Sequence, residues 1–248
     1  MDTPLLIVLA GAALAGFAQG VSGFAFALVA LSVWAWAVAP QLAAPMAVFG
    51  ALVGQIVTLP WVWRGFDRSL ALPIIAGGLL GVPLGVLLLQ WLDPNIFKLG
   101  LGLFLLVYCP FLLLLPHDYK LQHGGKFADI LAGFGGGVLG GIGGMSGPIP
   151  ALWTTLKGWD KELQRGMLQA FNIAMHVTTM TAYFLSGSIT SEALRLFVWI
   201  TPALAIPAIA GVMLFKRLNA QQFRRLILIT LIASGVALLW GGASKLLG

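Results

Sequence analysis

Two short runs of small and polar residues in this chain could do chemistry: Gln19-Gly20-Val21-Ser22-Gly23 and Gly144-Met145-Ser146-Gly147-Pro148. The chemistry is non-covalent capture of an anion. Glycine admits unusual backbone angles and close approach to a ligand. Pro148 suits the first turn of a new helix, where a missing N–H costs no hydrogen bond. Ser146 is placed to cap that helix. A helix beginning inside an apolar stretch presents unpaired N–H groups and a partial positive charge, and both favour an anion. The backbone N–H groups of Gly20 to Gly23 and of Gly144, Met145, Ser146 and Gly147 are therefore the expected anion-binding groups. The same glycines would equally serve close helix packing.

A polar helix face is the second feature. Gln169, Asn172, His176 and Thr179 recur at spacings of three and four and so fall on one side of a helix. Gln55 and Thr58 stand 121 residues before His176 and Thr179. Polar groups in a bilayer are costly unless they pair or face a cavity. Gln19, Ser22, Gln55, Ser146, Asn172 and His176 are expected to orient the anion. His176 would donate to it or carry a coupling proton. The alternative is plain interhelical hydrogen bonding, with a neutral structural histidine.

No other chemistry is apparent. No carboxylate falls inside an expected span, no His/Cys/Glu cluster has metal-ligand spacing, and there is no nucleophile–base pair or Walker pattern. No cofactor and no enzyme activity are expected, and ATP-driven transport would need a separate subunit. The single cysteine, Cys109, excludes a disulfide within the chain and reads as a packed thiol.

The elements that position these residues are membrane spans. Charged residues make up 9% of the chain, too few to solvate a globular surface, and mean hydropathy is +0.96. No Asp, Glu, Lys, Arg or His occurs from Thr3 to Trp63, and uncharged stretches run from Ser69 to Leu92, Leu99 to Pro116, Ile130 to Leu156, Leu196 to Phe215 and Leu226 to Ser244. Crossing the hydrocarbon takes roughly 20 apolar residues. The net charge of +6 sits in short loops, where topogenic charge belongs, so it does not indicate nucleic acid. Trp61, Trp63, Trp91, Trp159, Trp199 and Trp240 stand near the ends of spans, as interfacial indoles do. The start, Met1-Asp2-Thr3-Pro4, has no basic n-region, so the first apolar segment is expected to be retained.

The chain reads as two related halves, 1–116 and 127–248, joined by a polar linker at 117–126. Leu14–Gly23 echoes Leu131–Gly140 at an offset of 117, sharing Leu-Ala-Gly-Phe and a later Gly-Val. Trp91-Leu92-Asp93-Pro94 and Phe97-Lys98-Leu99 echo Arg217-Leu218-Asn219-Ala220 and Phe223-Arg224-Arg225 at 126. Each half has a glycine-interrupted segment (5–39 and 128–156) followed by three spans, at 45–63, 69–91 and 97–115, then 166–186, 193–214 and 222–241. The fold class is thus an all-α polytopic membrane protein. If each interrupted segment is a hairpin, eleven basic residues, Arg64 to Arg225, fall on one side and only Lys98, Arg195 and Lys245 on the other. The positive-inside rule prefers this arrangement, with both termini outside. The 61 uncharged residues from Thr3 to Trp63 would make about 90 Å of helix, roughly three crossings. An odd number of crossings per half inverts one half relative to the other and brings the hairpins in from opposite faces.

The glycine-rich repeats, the eight or so apolar segments and the length resemble the TauE/SafE family of sulfite exporters and related anion transporters. The resemblance is clearest from Gly133 to Pro150 and in Leu152 to Gly166, with its charged loop Lys157 to Arg165. It implies secondary transport of sulfite, sulfonates or organosulfur carboxylates across the inner (cytoplasmic) membrane. The first half departs from the pattern: Gly16 to Gly23 is less glycine-dense and no proline follows. The expected function is alternating-access transport of a small anion. The rivals are an anion channel and a membrane structural or assembly protein without a substrate.

Overall fold

The computed structural model describes residues 3–34, 38–91, 93–114, 121 and 124–246. Expectations for Trp36, for Lys120 and most of the 117–126 linker, and for the side chains of Arg64, Lys98, Arg224 and Lys245, lie outside the described residues. The described residues form ten α-helices and a short 3-10 turn. In order these are α1 (Thr3–Ser22), α2 (Phe26–Trp34), α3 (Pro40–Val62), the turn Trp63–Gly65, α4 (Arg68–Trp91) and α5 (Pro94–Leu114). Then come α6 (Gly125–Gly143), α7 (Pro148–Leu156), α8 (Lys161–Leu185), α9 (Ser191–Arg217) and α10 (Ala220–Leu246). Among the described residues α1, α3, α4 and α9 contain spans long and apolar enough to cross a membrane. At the start of α4 the Ser69 hydroxyl and amide both donate to Asp67 Oδ1, at 2.7 and 2.8 Å, and hold this exposed carboxyl below its usual range.

Both interrupted segments fold back on themselves. After α1 the chain turns at Gly23–Ala25, and α2 returns until the Trp34 indole donates to Val8 O at 3.0 Å. After α6 it turns at Gly144–Gly147, and α7 returns until Leu156 O accepts from Leu121 N at 2.9 Å. Gly23 (φ 94°) and Gly144 (φ 75°) make these reversals in left-handed backbone, which side chains other than glycine disfavour. With nine residues each, α2 and α7 are too short to cross the hydrocarbon.

Most of the glycine-rich sequence is not interrupted at all. Gly16 and Gly20 lie inside α1, and Gly133 to Gly143 lie inside α6, which corrects the expectation of breaks over Gly16–Gly23 and Gly133–Pro150. Their function is contact. A Cβ at Gly133 would lie 1.9 Å from Ile74 O, and one at Gly137 2.0 Å from Gly78 O. In return, a Cβ at Gly81 would lie 2.2 Å from Phe134 O, and one at Gly85 2.1 Å from Val138 O. Glycines four apart form a ridge on one helix face, so α4 and α6 meet backbone to backbone. The contact register rises along both helices together, so they run parallel. α1 and α9 meet in the same way: a Cβ at Gly20 would lie 2.1 Å from Ala208 O, and one at Gly211 2.3 Å from Phe17 O. α5 packs on α10, while α3 and α8 touch each other and lie between the two glycine ridges, α3 against α9 and α8 against α4.

Exposed Trp63 and Trp91 stand at helix ends, while exposed Trp199 lies eight residues inside α9 and Trp240 six before the end of α10. Trp34 and Trp153 are packed: Trp34 is fully buried, and the Trp153 indole donates to Asp129 Oδ1 at 2.7 Å.

Candidate functional site

α8 is inside out. Asp160 caps it, its Oδ1 accepting from Glu162 N and Leu163 N at 3.0 Å, and so starts the helix five residues before the expected span. Arg165, Gln169, Asn172, His176 and Thr179 all fall on its buried face, while Val177, Phe184 and Leu185 point outward. The polar stripe faces protein and the apolar one faces lipid, the reverse of a soluble helix.

Asn172 holds the two reversals together. Its Nδ2 donates to Gly23 O at 3.0 Å, and its Oδ1 accepts from Ser146 Oγ at 2.7 Å. Gln55 Nε2 on α3 also donates to Gly23 O, at 2.6 Å. His176 Nε2 lies 3.1 Å from Gly144 O and 3.2 Å from Ser146 Oγ. The carbonyl can only accept, and the serine proton is already directed at Asn172, so a proton on Nε2 satisfies both neighbours. Nδ1 is then an unprotonated acceptor. Behind this layer Gln169 Nε2 donates to Gln55 O and to Thr58 Oγ1, and Gln19 Nε2 donates to Ala51 O at 2.8 Å. The tips also touch directly: a Cβ at Gly147 would lie 2.0 Å from Phe24 Cβ.

One capping expectation changes. Ser146 does not cap α7, whose N-cap is Gly147 without a side-chain bond. Pro148 and Pro150 have no N–H, and Ala151 N already bonds Gly147 O at 2.8 Å, so little is left to cap and the Ser146 hydroxyl turns to α8 instead. Ser22 ties the first reversal: its Oγ accepts from Phe24 N at 3.3 Å and Ala25 N at 3.1 Å, both ahead of α2, while donating to Ala18 O at 2.8 Å. Its hydroxyl is committed to the backbone of its own hairpin.

The expected site residues thus divide. Gln19, Gly23, Gln55, Gly144, Ser146, Asn172 and His176 come together in one buried region. Met145 and Gly147 lie in the second tip, buried, and the Ser22 hydroxyl is spent on the first reversal. Gly20 is helical and packed on α9, so its N–H is not at a break. Two charged residues were missed. Arg165, assigned to a loop, is fully buried on α8. Its signal was available, because it continues the Gln169–Asn172–His176–Thr179 face one turn back. Asp129, against the expectation of no carboxylate in a span, is buried in α6 and accepts from Lys157 Nζ at 2.6 Å.

Among the described residues, five buried side-chain atoms have no hydrogen-bond partner: Gln19 Oε1, Gln55 Oε1, Arg165 Nε, His176 Nδ1 and Thr179 Oγ1. Unpaired buried polar groups are expensive and call for a reason. All five belong to this region. An apolar cleft of about 350 Å³ between Phe49, Met180, Thr181, Phe184, Ile189 and Phe197 lies beyond it toward the end of α8. No group of three potential metal ligands occurs among the described residues.

The sequence profile described as Sulfite exporter TauE/SafE matches residues 8–238 of the chain. No curated protein and no solved structure matches it.

Proposed function

We propose, from the premise that this chain belongs to the TauE/SafE family of sulfite exporters, that it is a secondary transporter of a small anion in the cytoplasmic membrane. The anion is sulfite, a sulfonate, or an organosulfur or organic carboxylate. The observation that carries this reading is the junction of two helix reversals on one polar face of α8, crowded with buried polar atoms that lack partners. Irregular backbone at membrane depth is tolerated where it lines a cavity or is enclosed by protein. A site between Gly23 and Ser146, flanked by Gln19, Gln55, Asn172 and His176, has amide N–H donors and no acid to repel the ligand; binding would turn the idle Gln19 Oε1 and Gln55 Oε1 away from the anion.

The two halves are read as inverted repeats. Each has a helix of 19 or 20 residues, one of nine, then three of 21 to 27. Packing supports the exchange, since α1 rests on α9 and α6 on α4. The ends carrying Arg68, Lys157, Lys161 and Lys216 meet on one side: Lys161 Nζ donates to Leu218 O at 2.7 Å, and Gly65 abuts Glu162 O. That basic side is the cytoplasmic one, and each hairpin enters from the opposite face to the other. Rocking of one hairpin against the other would open the junction to alternate sides. A proton on His176 Nδ1 would turn an idle acceptor into a donor for the anion, which couples the two ligands.

Radiolabelled sulfite uptake into proteoliposomes tests the reading. Saturable flux that is stimulated by internal unlabelled anion and lost in Asn172→Ala supports it. Flux that rises linearly with concentration indicates a channel, and no flux for any sulfite- or sulfonate-like anion sinks the substrate assignment.

A further inference from the structure

Arg165 carries a buried charge with no ion-pair partner among the described residues, only the field of Glu162 one turn away. Its side chain is fully buried. Nη2 donates to Gln19 O at 3.4 Å and Gly20 O at 3.1 Å, the last carbonyls of α1, and Nη1 donates to Gln169 Oε1 at 3.2 Å. The Phe215 ring lies 5.7 Å from Cζ. Every one of these neighbours is neutral. Glu162, one turn earlier on α8, is half exposed and stands 3.7 Å from Lys161. The ion pairs among the described residues, Lys157–Asp129 and Lys161–Glu162, leave Arg165 out. Its Nε has no partner at all. A buried cation without a counter-charge is among the costliest features a fold can keep, and a guanidinium keeps its charge where a lysine would lose it.

The position is as telling as the charge. A Cβ on Gly23 would lie 2.2 Å from Nη1, so the guanidinium is seated against the reversal itself, at the first hairpin's tip. Glycine is required there both by its φ of 94° and by this contact.

We propose that Arg165 is the cationic anchor of the transported anion, a site residue that continues the polar face of α8 one turn toward its start. The inference rests on the transport reading above. In the closed arrangement the guanidinium is parked on the carbonyl end of α1, where a cation is favoured. An oxyanion presents two oxygens in the plane that a guanidinium edge matches, and it is a far stronger acceptor than two peptide carbonyls. Arriving at the vacant Nε edge, it draws Arg165 away from Gln19 O and Gly20 O. Anion binding and release of the first hairpin's tip then become one event, and the ligand class narrows to compact oxyanions with two coplanar oxygens: sulfite, sulfonate or carboxylate, not halide.

The test measures sulfite binding to the purified full chain by thermal stabilisation and by isotope retention, in the wild type, Arg165→Gln, Arg165→Lys and Gln169→Glu. Gln169→Glu places a carboxylate beside Nη1, an internal anion in the ligand's stead. The expected result is sulfite affinity weakened roughly 10- to 100-fold in Arg165→Gln, less in Arg165→Lys, and weakened in Gln169→Glu, which also gives up the donations to Gln55 O and Thr58 Oγ1. If Arg165 is only a cap on α1, Gln169→Glu binds sulfite as the wild type does, and that result overturns the proposal whether or not Arg165→Gln folds. Wild-type affinity in a folded Arg165→Gln overturns it equally. Absence of sulfite binding and flux in the wild type is a different failure, that of the transport reading itself.

Discussion

Replacing Gly147 by alanine probes the contact between the hairpin tips, on which alternating access would depend. Gly147 has φ −76° and ψ −34°, so alanine fits its backbone without strain. The added methyl group would sit 2.0 Å from Phe24 Cβ and 2.5 Å from Phe24 Cγ, both in the opposing tip. Forcing a methyl group into a packed site costs about 1–3 kcal/mol. Here that cost falls on the arrangement in which the tips touch and not on one in which they separate. A bias of this size corresponds to roughly a 5- to 150-fold shift in population. The assay is the alkylation rate of Met145→Cys, buried in the second tip, by a membrane-impermeant reagent in a Cys109→Ala background. Gly147→Ala should speed alkylation within that range. Alanine is also a poorer N-cap than glycine, so the same pair is compared in a Phe24→Gly background. With no Cβ at position 24 the clash is gone and only the capping difference remains, so Gly147→Ala should change the rate far less there. An unchanged rate in Gly147→Ala, or an equal effect in the Phe24→Gly background, would refute the tip contact.

Other expectations follow from the packing. Gly137→Ala should destabilise the solubilised protein by about 1–3 kcal/mol, because its Cβ would meet Gly78 O at 2.0 Å. Gly100→Ala, with nothing within 4 Å, should be neutral or stabilising by up to about 1 kcal/mol; equal thermal shifts for the two would contradict the ridge. Ser22→Ala should cost about 1 kcal/mol through loss of the hydroxyl that ties the first reversal, whereas Ser146→Ala should spare stability more and weaken sulfite binding, as read by melting and isotope retention side by side. Glu162→Cys and Ser188→Cys, at opposite ends of α8, should be labelled from opposite faces of intact cells or vesicles, and labelling of both from one face would overturn the topology.

Much of the architecture was legible because charge is so sparse. The expected spans at 69–91 and 193–214 lie within one residue of, or inside, the observed α4 and α9. The reversals were harder to place, because glycine serves two ends that look alike in sequence. Gly133, Gly137 and Gly141 recur every four residues, which is a helix face and therefore a ridge, but Gly136, Gly140 and Gly144 keep the same spacing into the reversal, so spacing alone does not mark it. The offset of 117 matched glycines of one kind with glycines of the other: it sets Gly23, in a reversal, against Gly140, inside α6. The two Ser-Gly pairs at the reversals, Ser22-Gly23 and Ser146-Gly147, stand 124 apart instead. Arg165 was lost because basic residues at the edge of a span read as loop charge, although its spacing continues the polar face and the Asp160 cap extends α8 back past it.

The unequal strength of the contacts suggests where this molecule can move. α4 and α6, and likewise α1 and α9, are joined along several turns by glycine-mediated backbone contact that no rotamer change can loosen. The tips are joined by the Gly147–Phe24 contact and by a few side-chain hydrogen bonds through Asn172, Ser146 and His176. Side-chain hydrogen bonds between membrane helices are worth about 0.6 kcal/mol each on average, so that set comes apart at a cost an arriving anion can offset. Each hairpin should therefore travel with its ridge partner, α1 with α9 and α6 with α4, and the seam between these two bodies runs through the polar face of α8. The residues with idle hydrogen-bonding atoms lie along that seam and not along the ridges. A site needs that arrangement if binding is to break the seam contacts while the ridges stay folded.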